Sequence, residues 1–312
     1  MVYAEMIKPS KTRFAGCDCV KVENDAVTLW VTESIGPRII GLALQGGDNL
    51  FAELPDETLD WPAGGTFFFR GGHRLWYAPE DPQRTYIPDD APVTITDVES
   101  GILVTQPIEA QTGIQKSLTI TLPGHDAHVI IDHTVHNRGA ASVELAPWAI
   151  TQLRPGGVAI LPQPSEPADE HGLLPNRHIT LWPYTSINSP HITWGDRFVF
   201  VRAVMREGAL KIGFPNPAGW LAYAVDDTLF VERAAYQPDA DYFDRGSSSE
   251  CYCNPRFLEL ETLGPRTVLA PGRSITHCEA WALYAVASFR PTETAAQDLV
   301  DRLGLTTGGG PS

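Results

Sequence analysis

Phe257-Leu258-Glu259-Leu260-Glu261-Thr262-Leu263-Gly264-Pro265 alternates leucines with polar residues and then runs into a glycine-proline turn. Successive side chains of a β-strand point to opposite faces, so Leu258 and Leu260 enter a core while Phe257, Glu259 and Glu261 look the other way. Two ionised carboxylates on one face repel unless water, a cation or a bound proton intervenes. The stretch is therefore either a half-exposed strand with a solvated acidic face or part of a site.

The same period-2 pattern extends outward on both sides. Val20 and Val22, then Val27, Leu29 and Val31, alternate with polar residues. Ser34-Ile35-Gly36-Pro37 turns the chain into Arg38–Leu44, and Gly46-Gly47-Asp48-Asn49 turns it again. Further strands are expected around Val93–Thr96, Ile102–Thr105, Lys116–Leu122, His128–His136, Val143–Gln152, Arg197–Val204, Ala209–Phe214, Trp220–Val225, Thr228–Arg233 and Ile275–Val286. One helix is legible: Thr294 with Gln297 resembles a capping box, Ala296, Leu299, Val300 and Leu303 form a stripe, and Gly304 ends it. Thr306–Ser312 is expected to be a disordered tail. The expected fold is all-β, a large antiparallel unit of roughly 15 to 20 strands over residues 1–290, followed by a C-terminal helix and tail over 291–312.

Composition narrows the function. The 312 residues carry a net charge of −15, which argues against nucleic acid and anionic membranes as partners, and no apolar run is long enough to span a bilayer. Met1–Arg13 holds no signal-peptide core, so a cytoplasmic protein is expected. The five cysteines form the pairs Cys17/Cys19 and Cys251/Cys253 with Cys278 alone. Two Cys-x-Cys pairs could make a four-thiolate zinc site, but the spacing is shorter than that of zinc knuckles, and reduced, half-buried thiols are the expectation. His133 and His136 fall on opposite faces of one strand, as parity also rules for His125 and His128, so neither is a metal pair.

Three segments break the alternation. Residues 53–92 hold Arg70-Gly71-Gly72-His73-Arg74-Leu75-Trp76-Tyr77-Ala78-Pro79-Glu80, read as a Gly-Gly loop on a β scaffold with cations, aromatics, a histidine and an acid around it. Such a loop either binds a polar ligand or is a turn with solvated arginines and core aromatics. Residues 154–197 are proline-rich without a period, as in a functional loop or lid. Asp239–Gly246 is acidic, and a solvated turn is expected there in preference to a calcium loop.

Ser34-Ile35-Gly36-Pro37-Arg38-Ile39, Arg70-Gly71-Gly72, Asn137-Arg138-Gly139, Pro147-Trp148 and Leu260-Glu261-Thr262 with Pro265 resemble, in order and spacing, the galactose-mutarotase-like proteins of the aldose 1-epimerase superfamily. The resemblance spans about residues 20–290 and is similar to a bacterial branch with a Glu-Leu-Glu-Thr-Leu-Gly-Pro signature followed by a Pro-Gly turn, here Pro271-Gly272. It implies a β-supersandwich whose concave face binds a sugar or sugar acid, with Glu261 as general base and Arg70 as a substrate-binding arginine. The family's general-acid histidine follows the Pro-Trp-like segment, where this chain has Ala149-Ile150-Thr151-Gln152. His73 is therefore the expected acid, with His178 or a water on Gln152 as alternatives. Arg74, Lys211, Glu80 and Glu259 are candidate polar contacts, and Trp76, Tyr77 and Trp148 candidate stacking rings. No cofactor or metal is implied. A carbohydrate-binding protein that kept the groove and lost the acid is the alternative to an epimerase-like enzyme.

Overall fold

The computed structural model describes residues 9–305, so the expectation for Thr306–Ser312 lies outside the described residues. Alternating segments become strands in chain order: β1 (Ser10–Phe14), β2 (Cys17–Glu23), β3 (Val27–Thr32), β4 (Arg38–Leu44), β5 (Glu53–Asp60), β6 (Thr66–Ala78) and β7 (Thr94–Val98). There follow β8 (Gly101–Thr105), β9 (Ile114–Thr121), β10 (His128–Asn137), β11 (Val143–Leu153), β12 (Val158–Pro162), β13 (Thr180–Leu181), β14 (Ile192–Trp194) and β15 (Phe198–Arg202). The series closes with β16 (Leu210–Phe214), β17 (Trp220–Val225), β18 (Thr228–Ala234), the single-turn α1 (Phe243–Gly246), β19 (Ser249–Cys253), β20 (Leu258–Leu263), β21 (Thr267–Leu269), β22 (Ser274–Ala285) and α2 (Glu293–Leu303).

Two antiparallel sheets result. A 12-stranded sheet runs β1-β2-β3-β4-β6-β11-β20-β19-β16-β13, with β5 added on β6 and β21 on β11. A 10-stranded sheet runs β14-β15-β12-β17-β18-β22-β10-β9-β8-β7. The main core lies between them, where Leu258 and Leu260 meet Val129, Ile131, Val135, Phe230 and Trp281. A second apolar layer covers the other face of the 12-stranded sheet, around Phe67, Trp76, Trp148, Ile150 and Tyr242. Strands β11 and β20 are thus buried on both faces. That overturns the solvated reading of Glu259 and Glu261, which stand 8% and 0% exposed.

The strands exceed the expected number because several lack the alternating signature. Val158-Ala159-Ile160-Leu161-Pro162 is a short apolar run buried between two neighbours, and β19 hides a glutamate that is fully buried. The loop expected at Gly71-Gly72 is also strand. Arg70, Gly71 and Gly72 all take positive φ inside the long β6, so the chain kinks without leaving the sheet. Glycine is required there by close approach: a Cβ on Gly72 would lie 2.2 Å from the Ile39 carbonyl oxygen, and one on Gly71 1.7 Å from that of Ala52.

The helix starts two residues earlier than its sequence suggests. Thr292 is the cap, its hydroxyl accepting from Ala295 N, while Gln297 and Glu293 bind Arg197. Gly304 ends it in the left-handed conformation as expected. The helix packs Ala296 and Leu299 on the outer side of the 10-stranded sheet. The cysteine pairs occupy different clusters, Cys17 and Cys19 beneath Trp30 and Cys251 and Cys253 in the main core, so no four-thiolate centre forms. No described helix is long and apolar enough to cross a membrane.

Gly72→Ala places a methyl group against backbone at a positive φ, and should cost about 2–4 kcal/mol. A urea titration that shows wild-type stability for this variant would remove the close-approach argument.

Candidate active site

Pairing register decides which side chains share the outer face of the 12-stranded sheet. Glu261 lies opposite Ile150 and Glu250, and Glu259 opposite Gln152 and Tyr252. On the next strand Ile150 faces Arg74 and Trp148 faces Trp76. Parity therefore collects Glu259, Glu261, Gln152, Trp148, Arg74, Trp76, Glu250 and, from β16, Lys211.

The Lys211 ammonium stands 2.6 Å from Glu250 Oε2 and 2.9 Å from Glu261 Oε2. Burial alone would lower its pKa, but the two carboxylates reverse this and hold it well above the usual lysine value. Trp148 donates its indole N–H to the same Glu261 oxygen at 2.7 Å, and Glu261 Oε1 has no partner. The Lys211 ammonium is also sandwiched between Trp148 and Trp182, 4.9 and 4.7 Å from their ring centroids. Burial pushes Glu250 well above the usual carboxylate range despite Lys211.

Glu259 sits one pleat along. Gln152 donates to its Oε1 at 2.9 Å and Arg74 at 3.4 Å, and the Arg74 guanidinium also donates to Gln152 Oε1 at 2.9 Å while lying 4.3 Å over the Trp76 ring. Burial, reinforced by the charge of Glu261, raises Glu259 to about 7 against the pull of Arg74 and Lys211. Burial brings Arg74 down to about 10.

The long proline-rich segment roofs this face. Thr185 Oγ1 accepts from Lys211 N at 2.8 Å and donates to Lys211 O at 3.0 Å, which seats Trp182 over the lysine. Tyr184, 49% exposed, packs edge-on against Tyr252 at the rim. Glu80 is exposed and accepts from Tyr86. A surface cavity of about 680 Å³ between α2 and the Phe198/Trp220 face lies away from these carboxylates.

Of the residues singled out in the sequence, the structure brings Glu259, Glu261, Arg74, Gln152, Trp76, Trp148 and Lys211 together. Arg70 is not among them: its side chain pairs with Asp90 at 2.7 Å and lies over Phe68. Tyr77 and His73 do not share the face either. Both point between the sheets, Tyr77 into the main core and His73 against Trp281, so His73 does not stand across a ligand from Glu261. Odd and even positions of β6 part them. His178 is exposed, outside the buried set. Glu250, Trp182 and Tyr184 escaped the sequence reading. For Glu250 a signal existed, since Cys251 and Cys253 pointing inward forces Glu250 and Tyr252 outward.

No protein-family model matches the chain, and no curated protein matches it in sequence. Solved structures do. A galactose mutarotase-like protein from Lactobacillus casei superposes with a TM-score of 0.55 at 13% identity, over 85% of this chain and 100% of that one. The fold is galactose mutarotase-like. A candidate aldose 1-epimerase from Klebsiella pneumoniae gives 0.61 at 10% identity, over 95% of this chain and 85% of that one. A TPR-domain containing protein from Parabacteroides distasonis gives 0.60 at 13% identity over 86% of this chain, which spans 47% of that protein's length.

Removing the buried ammonium leaves Glu250 and Glu261 uncompensated. Lys211→Met should cost about 3–5 kcal/mol, more at pH 8 than at pH 5 because protonation relieves the buried charge at low pH. Adding Glu250→Gln should recover part of the loss, as read by denaturant titration at both pH values.

Proposed function

We propose that this chain catalyses epimerisation at the anomeric carbon of a sugar, by proton transfer at the two oxygens that carbon bears, as an aldose 1-epimerase-like isomerase. One observation carries the reading. Two carboxylates on adjacent outward positions of β20 have different surroundings: Glu259 is held near pKa 7, while Glu261 faces two donors through Oε2 and keeps Oε1 uncommitted. Paired acids in such unlike environments suit a division into acid and base.

Ring opening needs a base for the C1 hydroxyl proton and an acid for the ring oxygen, and both oxygens sit on one carbon. Glu261 Oε1 is assigned the first role. Glu259, protonated for part of the time near neutrality, is assigned the second, in the place His73 was expected to fill. Gln152 and Arg74 orient Glu259, and Trp76 and Trp148 offer apolar ring faces to a sugar. Closure by the opposite transfers returns both groups to their starting states. Trp182 and its segment must move for a ligand to reach Glu261, which is 0% exposed.

A neutral aldose fits better than a uronate. Arg70 is paired with Asp90, Arg74 with Glu259, and Lys211 with Glu250 and Glu261, so each candidate cation is committed to a carboxylate of the chain. The second reading, a sugar-binding protein without turnover, is favoured by the lysine clamp, which occupies Glu261 Oε2 at 2.9 Å.

Exchange NMR on a panel of aldoses separates the two. Glu261→Gln should slow anomer exchange by about 10²- to 10⁴-fold. Because the acid form of Glu259 is the active one, the wild-type rate should fall as pH rises through about 7, and Glu259→Gln should lose that limb. Saturable sugar binding with no acceleration by wild type would establish the non-catalytic reading.

A further inference from the structure

Behind the groove, on the other face of β6, a second polar set is sealed between the sheets. His73 and His133 are both 0% exposed, and their Nε2 atoms are 2.6 Å apart. Their other nitrogens fix which protons they carry. His133 Nδ1 lies 3.0 Å from the His277 carbonyl oxygen, which only accepts, so Nδ1 holds the proton and Nε2 a bare lone pair. His73 Nδ1 lies 3.0 Å from Thr151 Oγ1, whose own hydroxyl donates to Glu232 Oε2 at 3.1 Å. With Glu232 ionised the threonine proton is thereby used, His73 Nδ1–H donates to Thr151, and His73 Nε2 is also a bare acceptor; with Glu232 protonated, Thr151 donates to His73 Nδ1 and His73 Nε2–H donates to His133 Nε2. In the ionised state two lone pairs face each other at this distance and repel unless a cation stands between them.

The surroundings call for positive charge as well. Glu279 Oε2 is 3.9 Å from His133 Nε2, and the three ligand atoms of His73, His133 and Glu279 lie within 4.8 Å of one another. Glu232 and Glu279 are both 0% exposed, and among the described residues neither pairs with a lysine or arginine. Trp281 donates to Glu279 Oε2 at 2.9 Å and Thr262 to its Oε1, which orients the carboxylate. Glu232 Oε1 has no partner.

We propose that His73, His133 and Glu279 bind one divalent transition-metal ion, zinc by its ligand chemistry, as a staple between the two sheets. Imidazole and carboxylate ligands suit zinc, and a histidine whose Nδ1–H is held by a carbonyl or hydroxyl presents Nε2 as metal ligands do. Two nitrogens on one tetrahedral zinc stand about 3.3 Å apart, so the imidazoles open by less than an ångström from 2.6 Å to admit it. A divalent charge also balances Glu232 and Glu279 when both are ionised. The ion joins β6 of one sheet to β10 and β22 of the other, and its place in the closed interior makes it structural, taken up as the chain folds.

Metal analysis of the full chain purified from zinc-supplemented medium should find one zinc per chain. Refolding from guanidinium with cobalt chloride should produce the visible d–d absorption of protein-bound cobalt. His133→Ala should lose both signals while Glu261→Gln, on the opposite face, keeps them. Should His133→Ala fail to fold, Glu279→Gln preserves volume and should weaken metal affinity by about 10- to 100-fold. Folded wild type with neither stoichiometric zinc nor a cobalt spectrum overturns the proposal, with a low-field shared-proton NMR signal identifying a proton as the cation. Metal retained at full stoichiometry and affinity by either variant overturns it equally.

Discussion

Glu250, Glu259 and Glu261 are buried on one face of a patch of neighbouring strands, where Lys211 and Arg74 pair with them as buried counter-charges. Three acids against two cations leave a proton or a ligand to complete the balance. Much of the local structure serves this constraint. Trp148 and Trp182 hold the ammonium, Gln152 links Arg74 to Glu259, and the long segment is tied down through Thr185 to keep the lysine dry. A charge set this closely compensated is expensive to disturb at any one member, and it gives neighbouring carboxylates unlike surroundings.

The same sheet carries a second polar layer on its other side. Along β6, Arg74 and Trp76 belong to the outer set while His73 and Tyr77 point inward, and along β20 Glu259 and Glu261 alternate with Thr262 on the inner network. Strands that read as sources of one polar cluster therefore supply two, separated only by the thickness of the backbone. Aliphatic side chains fill most of the space between the sheets, and the histidine–glutamate network interrupts them at one place, where Trp281 both packs on His73 and binds Glu279.

Alternation made most strands legible, from Val20 through Ile275, together with the inward set of β10 and the pairing of Glu259 with Glu261 on one face. It failed where burial is two-sided or the strand is irregular. In β12 both faces are apolar and no period survives, and in β6 the Gly71-Gly72 pair suits a kinked strand as well as a turn. The helix cap moved to Thr292 because Glu293 and Gln297 were drawn to Arg197, a partner far away in sequence. Arg70 was lost from the site for a similar reason, since Asp90 comes to it across a fold of the chain.

By itself the sequence determined the antiparallel β class, the terminal helix and which residues of the alternating strands share a face, because these depend on a local period of two or 3.6 residues. Tertiary structure alone decided which faces meet. It turned the acidic face of β20 from a solvated surface into a buried charge network, brought Glu250, Lys211 and Trp182 to it, and sent His73 to the interior beside His133. Those outcomes depend on inter-strand register and on which layer covers which face, and a single chain's local pattern carries neither.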